Sequence, residues 1–215
     1  MNRKEFAKYI DHTLLRSDAT KEDIERLVSE CKEYGFYACC VNPYWVKLVK
    51  ELLKDTDIKI CSVAGFPFGA TSTLAKVAEA VQARADGADE IDMVINIGAL
   101  KAREYKFLFD EINAICRAVE PAIVKVIIET GALTDDEIRN ICRIILDTPA
   151  EFVKTCTGYG PRGVIPDDIK KIKEHVGNKK KIKASGGIRT YEQAVELIKL
   201  GATRLGTSRG VEIVK

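Results

Sequence analysis

The chain has 215 residues, of which 31% are charged and 46% belong to the hydrophobic class, so it is long enough for one domain with a sizeable core. The 34 basic and 32 acidic residues are well mixed and leave a formal net charge of +2, which disfavours a dedicated nucleic-acid or membrane surface. The seven cysteines include no CxxC pair, which disfavours a disulfide framework and a zinc site. Neither a secretory signal nor an apolar run of membrane-spanning length is present, so a cytoplasmic protein is expected.

Short apolar segments alternate with amphipathic helices from one end of the chain to the other. Several of these segments are rich in isoleucine and valine and almost continuously apolar, as parallel strands covered on both faces are. Eight strands are predicted, at residues 10–13, 38–42, 58–64, 90–95, 122–129, 151–155, 181–185 and 203–206.

The segments between the strands carry helix signals. Thr20 is a predicted N-cap, and Thr134 with Glu137 has the spacing of a capping box. In the helix after the third strand, apolar residues recur at helical spacing and indicate the stripe that a barrel helix turns toward the core. These residues are Leu74, Val77, Ala78, Val81 and Ala85.

The order of these elements predicts the fold. Eight strand-then-helix units, with no linker or low-complexity segment between them, predict a single (β/α)8 TIM barrel of the α/β class spanning residues 1–215. A doubly wound open sheet is the alternative. It would normally carry a GxGxxG motif after the first strand, and none is present.

Lysine occurs near the ends of two successive predicted strands, as Lys154 and Lys183. An unpaired ammonium is costly to bury, so the two together suggest an amine whose pKa is lowered for attack on a carbonyl. Barrel enzymes place catalytic groups at the carboxyl ends of strands, facing inward. By alternation, the inward faces would also hold Lys125, Asp92 and Glu129, and Cys156 would share the face of Lys154. A charged lumen indicates an enzyme, because a barrel kept for stability alone fills it with aliphatic side chains.

Seven longer segments, spread over nearly the whole chain, resemble one known family. They are DHTLL (11–15), CVNP (40–43), VAGFPFGA (63–70), GADEIDMVINIGAL (87–100), KVIIETGAL (125–133), FVKTCTGYG (152–160) and KASGGIRT (183–190). In these segments the sequence is similar to the deoxyribose-phosphate aldolases, which are class I, Schiff-base-forming aldolases. The resemblance implies reversible cleavage of 2-deoxy-D-ribose 5-phosphate into acetaldehyde and D-glyceraldehyde 3-phosphate, with no cofactor and no metal. Because barrels of this kind often pair through outer helices, a homodimer or homotetramer is expected.

The resemblance also implies roles for three residues. Lys154, in the FVKT motif, would form the Schiff base. Lys183, in the KASGG motif, would lower the pKa of Lys154 by like-charge repulsion and help to protonate the leaving hydroxyl. Asp92 would relay protons, with Asp89, at the strand entrance, as the competing carboxylate. Structural roles stay open for all three: an ion pair for Lys154, a solvated lysine for Lys183 and a buried carboxylate for Asp92.

A substrate phosphate needs backbone N–H donors, which barrels often supply from the loops after strands seven and eight. The predicted phosphate-binding residues are Gly186, Gly187, Gly206, Thr207 and Ser208, with Gly158 as a further donor.

Five other residues are candidates for substrate contact. A packing role stays open for Cys40, and a purely structural role stays open for Lys125. His12 is expected to point away from the lumen, because it alternates with its neighbours in DHTLL. The five candidates are Asp11, Thr13, Cys40, Lys125 and Thr155.

The sequence departs from the family pattern in two places. Cys156 stands where many relatives have serine, and a thiol is the poorer hydrogen-bond donor. The chain ends at Lys215, whereas some relatives have a longer tail that reaches the site with a tyrosine. Proton exchange is therefore expected to rely on Asp92, Lys183 and water.

Two other functions compete with this aldolase. A Schiff-base aldolase for a different phosphorylated sugar would explain Lys154 but not the joint presence of DHTLL and GFPFGA. A sugar-phosphate-binding protein without catalysis would be expected to lack Lys154, Lys183 or Asp92, and all three are present.

Overall fold

The computed structural model describes residues 3–215 and contains a closed barrel of eight parallel strands. Each strand pairs with the next along the chain, and the eighth closes the barrel on the first. The predicted (β/α)8 barrel and its eight strands are confirmed. The strands are β1 Ile10–Leu14, β2 Ala38–Val41, β3 Lys59–Ala64, β4 Glu90–Val94, β5 Ile123–Ile127, β6 Phe152–Lys154, β7 Lys181–Ser185 and β8 Arg204–Thr207.

Ten α-helices lie in the described part of the chain, together with two short 3-10 turns at Pro43–Trp45 and Thr130–Ala132. None of these helices combines the length and the apolar character that crossing a membrane requires. They are α1 Arg3–Ala7, α2 Lys21–Tyr34, α3 Val46–Leu52, α4 Thr73–Ala85, α5 Ile97–Lys101, α6 Tyr105–Val119, α7 Asp135–Leu146, α8 Pro166–Val176, α9 Tyr191–Lys199 and α10 Gly210–Val214.

The helix starts follow the predicted capping signals. The Thr20 side chain accepts a hydrogen bond from the backbone N–H of Asp23, whose carboxylate accepts one from the Thr20 N–H in return. Thr134 and Glu137 make the same reciprocal pair at the start of α7. Each pair satisfies backbone donors that a helix start would otherwise leave without partners.

The hydrophobic core lies between the barrel and its helices. Outward-facing strand residues such as Ile91, Met93 and Val126 are fully buried in one cluster with the inner faces of the helices. Because side chains alternate along a strand, Asp92 and Lys125 point into the lumen instead. This division leaves the lumen free for polar chemistry while the outer layer holds the barrel together.

The apolar stripe of α4 was predicted to face the core, but of its five residues only Val77 packs against it. Leu74, Ala78, Val81 and Ala85 are exposed, with Leu74 at 78%. The inner face of α4 is made of Lys76, Ala80 and Ala83.

A buried ion pair explains the orientation of α4. Lys76 Nζ lies 2.9 Å from a carboxylate oxygen of Glu111, on α6, and 2.9 Å from the carbonyl oxygen of Val94, at the end of β4. Polar partners on the neighbouring elements therefore draw a lysine inward and turn the larger apolar side chains out.

Candidate active site

Seven charged side chains fill the barrel lumen, and all are buried. They come from β1, β4, β5, β6, β7 and β8, so the closed barrel is what brings them together. They are Asp11, Glu90, Asp92, Lys125, Lys154, Lys183 and Arg204.

Asp92 is the centre of this cluster. One carboxylate oxygen, Oδ2, lies 2.6 Å from Lys154 Nζ and 2.7 Å from Lys183 Nζ. The other oxygen, Oδ1, lies 2.8 Å from Lys125 Nζ. Burial alone would raise the pKa of Asp92, but the three ammonium groups outweigh it and hold that pKa well below its usual range. Asp92 is therefore an ionised carboxylate that fixes three lysines.

Lys183 is held between two carboxylates. Its Nζ donates to Asp11 Oδ2 as well as to Asp92. Burial would lower the pKa of Lys183, but the charges of Asp11 and Asp92 raise it above the usual lysine value. Lys183 is thus a permanent positive charge beside Lys154, as the proposed electrostatic role requires. Gly206 leaves it room, because a Cβ at that position would lie 3.0 Å from Lys183 Cε.

Arg204 is the fourth cation in the lumen. It was not predicted as a site residue from the sequence. Its guanidinium lies 3.0 Å from Asp11 Oδ1 and 3.0 Å from Glu90 Oε2, and stacks 3.5 Å from the centre of the Tyr37 ring. Glu90 also binds Lys125 Nζ at 2.6 Å. Its position two residues before Gly206, on the same face of β8, was the available signal.

A cavity of about 390 Å³ opens at the carboxyl ends of the strands. Of the three lumen lysines, only Lys154 lines it. Among the described residues that line the cavity there is no carboxylate, whereas three arginines are present: Arg16, Arg189 and Arg209. None of these arginines was predicted as a site residue from the sequence. Arg16 is ion-paired with Asp18 and Asp23, and Arg209 with Glu212. A lining of one lysine and three arginines without a carboxylate nevertheless favours an anionic ligand.

The predicted phosphate loops lie on this cavity. The cavity is lined by all the predicted phosphate-binding residues, which are Gly158, Gly186, Gly187, Gly206, Thr207 and Ser208, and also by Thr13. Gly186 and Gly187 have φ values of 91° and 76°, in the left-handed region that glycine adopts without strain. A side chain at Gly186 would also lie 3.1 Å from Cys156 Cβ.

Four residues predicted to contact substrate do not line the cavity, and each is fully buried. Asp11 is occupied by Lys183 and Arg204. Lys125 lies beneath Asp92 and Glu90. Their contacts make these two residues supports of the lysine cluster rather than part of the cavity wall.

The other two, Thr155 and Cys40, are also removed from the cavity. The Thr155 hydroxyl accepts a hydrogen bond from the Ser185 N–H at 3.0 Å and donates one to the Ser185 carbonyl at 3.1 Å. Thr155 therefore joins the ends of β6 and β7. Cys40 packs in the lumen beside Ala38 and Cys61, which agrees with the packing role left open for it.

Glu129 was expected on the inward face of β5, and the structure corrects this. β5 ends at Ile127, and Glu129 has a φ of 57°, so strand alternation no longer applies. Its buried carboxylate instead accepts from the backbone N–H of Thr157 at 3.0 Å and from the Thr157 hydroxyl at 2.5 Å. Glu129 thereby fixes the β6–α8 loop, of which Thr157, Gly158 and Tyr159 line the cavity.

Cys156 was expected to share the face of Lys154, and this is also wrong. β6 ends at Lys154, and the Cys156 thiol turns away to lie 3.3 Å from the Thr130 hydroxyl. Burial raises the pKa of this thiol to about 11. Cys156 does not line the cavity, so its thiol has a packing role behind the β6–α8 loop.

Two predicted orientations are confirmed. Asp89 accepts a hydrogen bond from the Ile60 N–H at 2.9 Å, at the amino end of the barrel and away from the lysines. His12 points outward, with Nε2 2.6 Å from Glu30 Oε2.

This TIM barrel has a lysine that faces the cavity and is held by a buried aspartate. Such an arrangement is typical of an aldolase that forms a Schiff base. The sequence model described as DeoC/LacD family aldolase matches residues 6–214. The deoxyribose-phosphate aldolase of Dictyoglomus turgidum is 53% identical over 100% of this chain and 98% of its own length. The deoxyribose-phosphate aldolase of Aciduliprofundum boonei is 54% identical over 100% and 98%. The chain belongs to the DeoC/LacD aldolase family.

Solved structures agree with this assignment. A putative deoxyribose-phosphate aldolase from Coccidioides immitis superposes with a TM-score of 0.96 at 40% identity, covering 100% of this chain and 86% of that one. The deoxyribose phosphate aldolase of Aeropyrum pernix, described as a unique tetrameric structure, superposes with a TM-score of 0.93 at 30% identity, covering 99% and 91%.

Proposed function

We propose that this protein is a class I aldolase that reversibly cleaves 2-deoxy-D-ribose 5-phosphate into acetaldehyde and D-glyceraldehyde 3-phosphate through a Schiff base on Lys154. The observation that carries the proposal is the placement of Lys154 Nζ at the cavity, on the same Asp92 oxygen that holds Lys183 Nζ. Relatives that are 53% and 54% identical over the whole chain carry the name of this activity.

The charge balance of the lumen favours Lys154 as the nucleophile. Four cations and three carboxylates leave one surplus positive charge in a buried site, which is costly. Loss of one lysine proton removes that surplus. Of the three lysines, Lys154 is the one that lines the cavity and can meet a substrate there.

The reaction then follows from ordinary amine chemistry. Lys154 Nζ adds to the C1 carbonyl of the open-chain sugar, and loss of water from the carbinolamine gives a protonated imine. The C3 hydroxyl loses its proton as the C2–C3 bond breaks, and the bond electrons move into the imine to form an enamine. Glyceraldehyde 3-phosphate leaves, C2 takes up a proton, and water releases acetaldehyde from Lys154.

Asp92 and Lys183 support these steps. Asp92, ionised and within 2.6 Å of Lys154 Nζ, orients the amine and passes protons through water at the carbinolamine and at C2. Lys183 supplies a fixed positive charge beside Lys154 and, since it does not itself line the cavity, would help to protonate the departing hydroxyl through water. Asp11 and Lys125 keep this pair of residues in place.

The phosphate binds at the other end of the cavity. The Gly186–Gly187 and Gly206–Ser208 loops line the cavity together with Gly158, and their backbone N–H groups would be the donors to the phosphate. Thr207 shapes its loop, because its hydroxyl donates to the Ile188 carbonyl at 2.8 Å and accepts from the Arg209 N–H at 3.0 Å. Lys154 and these loops line the same cavity, so one sugar phosphate bound there would meet both.

The chain also assembles as a homo-oligomer of two or four copies. The A. pernix relative is described as tetrameric and has nearly the same fold.

The activity is tested by incubating the purified protein with deoxyribose 5-phosphate in the presence of a strong chelator and measuring both products. Acetaldehyde and glyceraldehyde 3-phosphate are expected at equal rates, unchanged by the chelator. Lys154→Met should lower the rate at least a thousandfold. Lys106→Met, at an exposed lysine on α6, serves as the control and should have no effect. Cleavage of another phosphorylated sugar in place of this one would favour the alternative Schiff-base aldolase.

A further inference from the structure

The outer side of α4 is an uncharged surface in a chain of which 31% is charged. All six of its residues are exposed, and five are apolar. We call this surface the α4 face. It consists of Leu74, Ala75, Ala78, Val81, Gln82 and Ala85.

The apolar surface continues beyond the helix. Phe68, in the β3–α4 loop, is 73% exposed, close to the 78% of Leu74. A groove of about 500 Å³ lies between the loop and the helix, and Phe68 and Ala75 both line it. Glu79 also lines the groove, where its carboxylate accepts a hydrogen bond from the Gly65 N–H at 2.6 Å. Single exposed apolar residues are ordinary on a protein surface, but a run along a whole helix and its leading loop marks a docking site.

We propose that the α4 face binds the α4 face of a second copy of this chain about a two-fold axis. In such an interface the same patch lies on both sides, so a charged patch would repel itself. The α4 face carries no charge and therefore has no such conflict.

The sizes of the side chains also suit a second copy. Leu74 and Val81 lie seven residues, or about two turns, apart. The small Ala78 lies between them, so the order large, small, large reads the same in both directions. An antiparallel copy can therefore approach closely at Ala78, with Leu74 of each helix near Val81 of the other. Opposed helix dipoles also favour this arrangement.

This inference deepens the homo-oligomer proposed above by naming the surface that forms it. The lysine cluster lies inside the barrel and makes no contact through the α4 face. A change on the α4 face should therefore alter assembly and leave Schiff-base formation on Lys154 intact. This separates a failure of the interface from a failure of the proposed function.

Light scattering after size-exclusion chromatography tests the interface. The wild type is expected at a multiple of the 23.8 kDa chain mass. Leu74→Glu and Val81→Glu should each reduce that mass to half or to a single chain. Both variants should remain folded, because glutamate is a good helix former and Leu74 lies in the first turn, where an acidic residue is favourable.

Ile165→Glu is the matched control, because Ile165 is 41% exposed, as Val81 is, but lies before α8. It should keep the wild-type mass. A monomeric wild type, or Leu74 and Val81 variants with an unchanged mass, would overturn the proposed interface. Loss of mass in the Ile165 variant as well would show that the effect is not specific to the α4 face and would also count against it.

Discussion

At the scale of single residues, one carboxylate organises the site. Asp92 accepts from three lysines, and two of them share one oxygen. The shared carboxylate offsets the repulsion between the two ammonium groups, so Lys154 and Lys183 can both lie in the lumen close together. The separation of roles comes from their surroundings: Lys183 has a second carboxylate, Asp11, whereas Lys154 faces the cavity.

Lys183→Leu removes the permanent positive charge next to Lys154. The remaining three cations and three carboxylates of the cluster then balance, so the surplus positive charge beside the nucleophile is lost. We expect kcat/KM at pH 7 to fall at least a hundredfold, and the acid limb of the pH–rate profile to move to higher pH.

The double variant Lys183→Leu with Asp11→Asn is the charge-matched control. It restores one surplus positive charge and should move the acid limb back toward the wild-type position. A single variant whose profile keeps its wild-type pH dependence would contradict the electrostatic role of Lys183.

At the scale of elements, the strands and the loops after β7 and β8 were predicted well from the sequence, whereas side-chain directions just past the ends of β5 and β6 were not. Alternation correctly placed Asp92, Lys125, Lys154 and Lys183 in the lumen, because an inward or outward side chain is a local property of a strand. It failed at Glu129 and Cys156, which lie just beyond strand ends, where the backbone turns.

A second kind of error arose where a side chain binds a partner that is distant in the sequence. The stripe on α4 had the right spacing for a buried face, but spacing does not show which side the neighbouring helix occupies. That side was decided by Glu111, which binds Lys76 from another element. For Arg204, alternation on β8 could have predicted the inward side chain, but its partners Asp11 and Glu90 on β1 and β4 could not be read from the sequence.

Glu129→Gln tests the attachment of the β6–α8 loop. A neutral amide accepts a weaker hydrogen bond from Thr157 than the carboxylate does, by about 1 kcal/mol. We expect KM for the phosphorylated sugar to rise about fivefold, with a smaller change in kcat, because the loop lines the cavity but holds none of the three catalytic groups. Steady-state kinetics give both constants. A fall in kcat with KM unchanged would assign Glu129 to the chemistry instead.

At the scale of the whole molecule, the barrel stability depends on charged groups in its lumen as well as on its apolar outer layer. The pKa values of Asp11 and Asp92 are lowered, with burial opposing the shift and the lysines outweighing it. The pKa values of Lys125 and Lys183 are raised against the effect of burial by the facing carboxylates. Opening the barrel would therefore release four ionised groups from favourable partners.

The pH dependence of unfolding follows from these shifts. A carboxylate with a lowered pKa stabilises the fold above its unfolded pKa of about 4, and this stability is lost as the pH falls further. A lysine with a raised pKa stabilises the fold below about 10.4, and this is lost as the pH rises through its folded pKa. We expect the urea midpoint to be flat from about pH 5 to 9 and to fall on both sides.

The urea midpoint of the Asp92→Asn variant can be compared with that of the wild type, because the variant lacks one of the two carboxylates with a lowered pKa. Its midpoint should be lower than that of the wild type near neutrality and should fall less steeply in acid. A wild-type midpoint that rises on acidification below pH 4 would contradict the account of the lumen charges.

The central claim is that Lys154 forms the covalent bond to the substrate. Incubation with deoxyribose 5-phosphate or acetaldehyde, followed by borohydride, would convert the imine to a stable amine that peptide mass spectrometry can locate. The account predicts one modified residue, Lys154, and no adduct at Lys183. Modification at another lysine, or none at all in an enzyme that turns over the sugar, would contradict it.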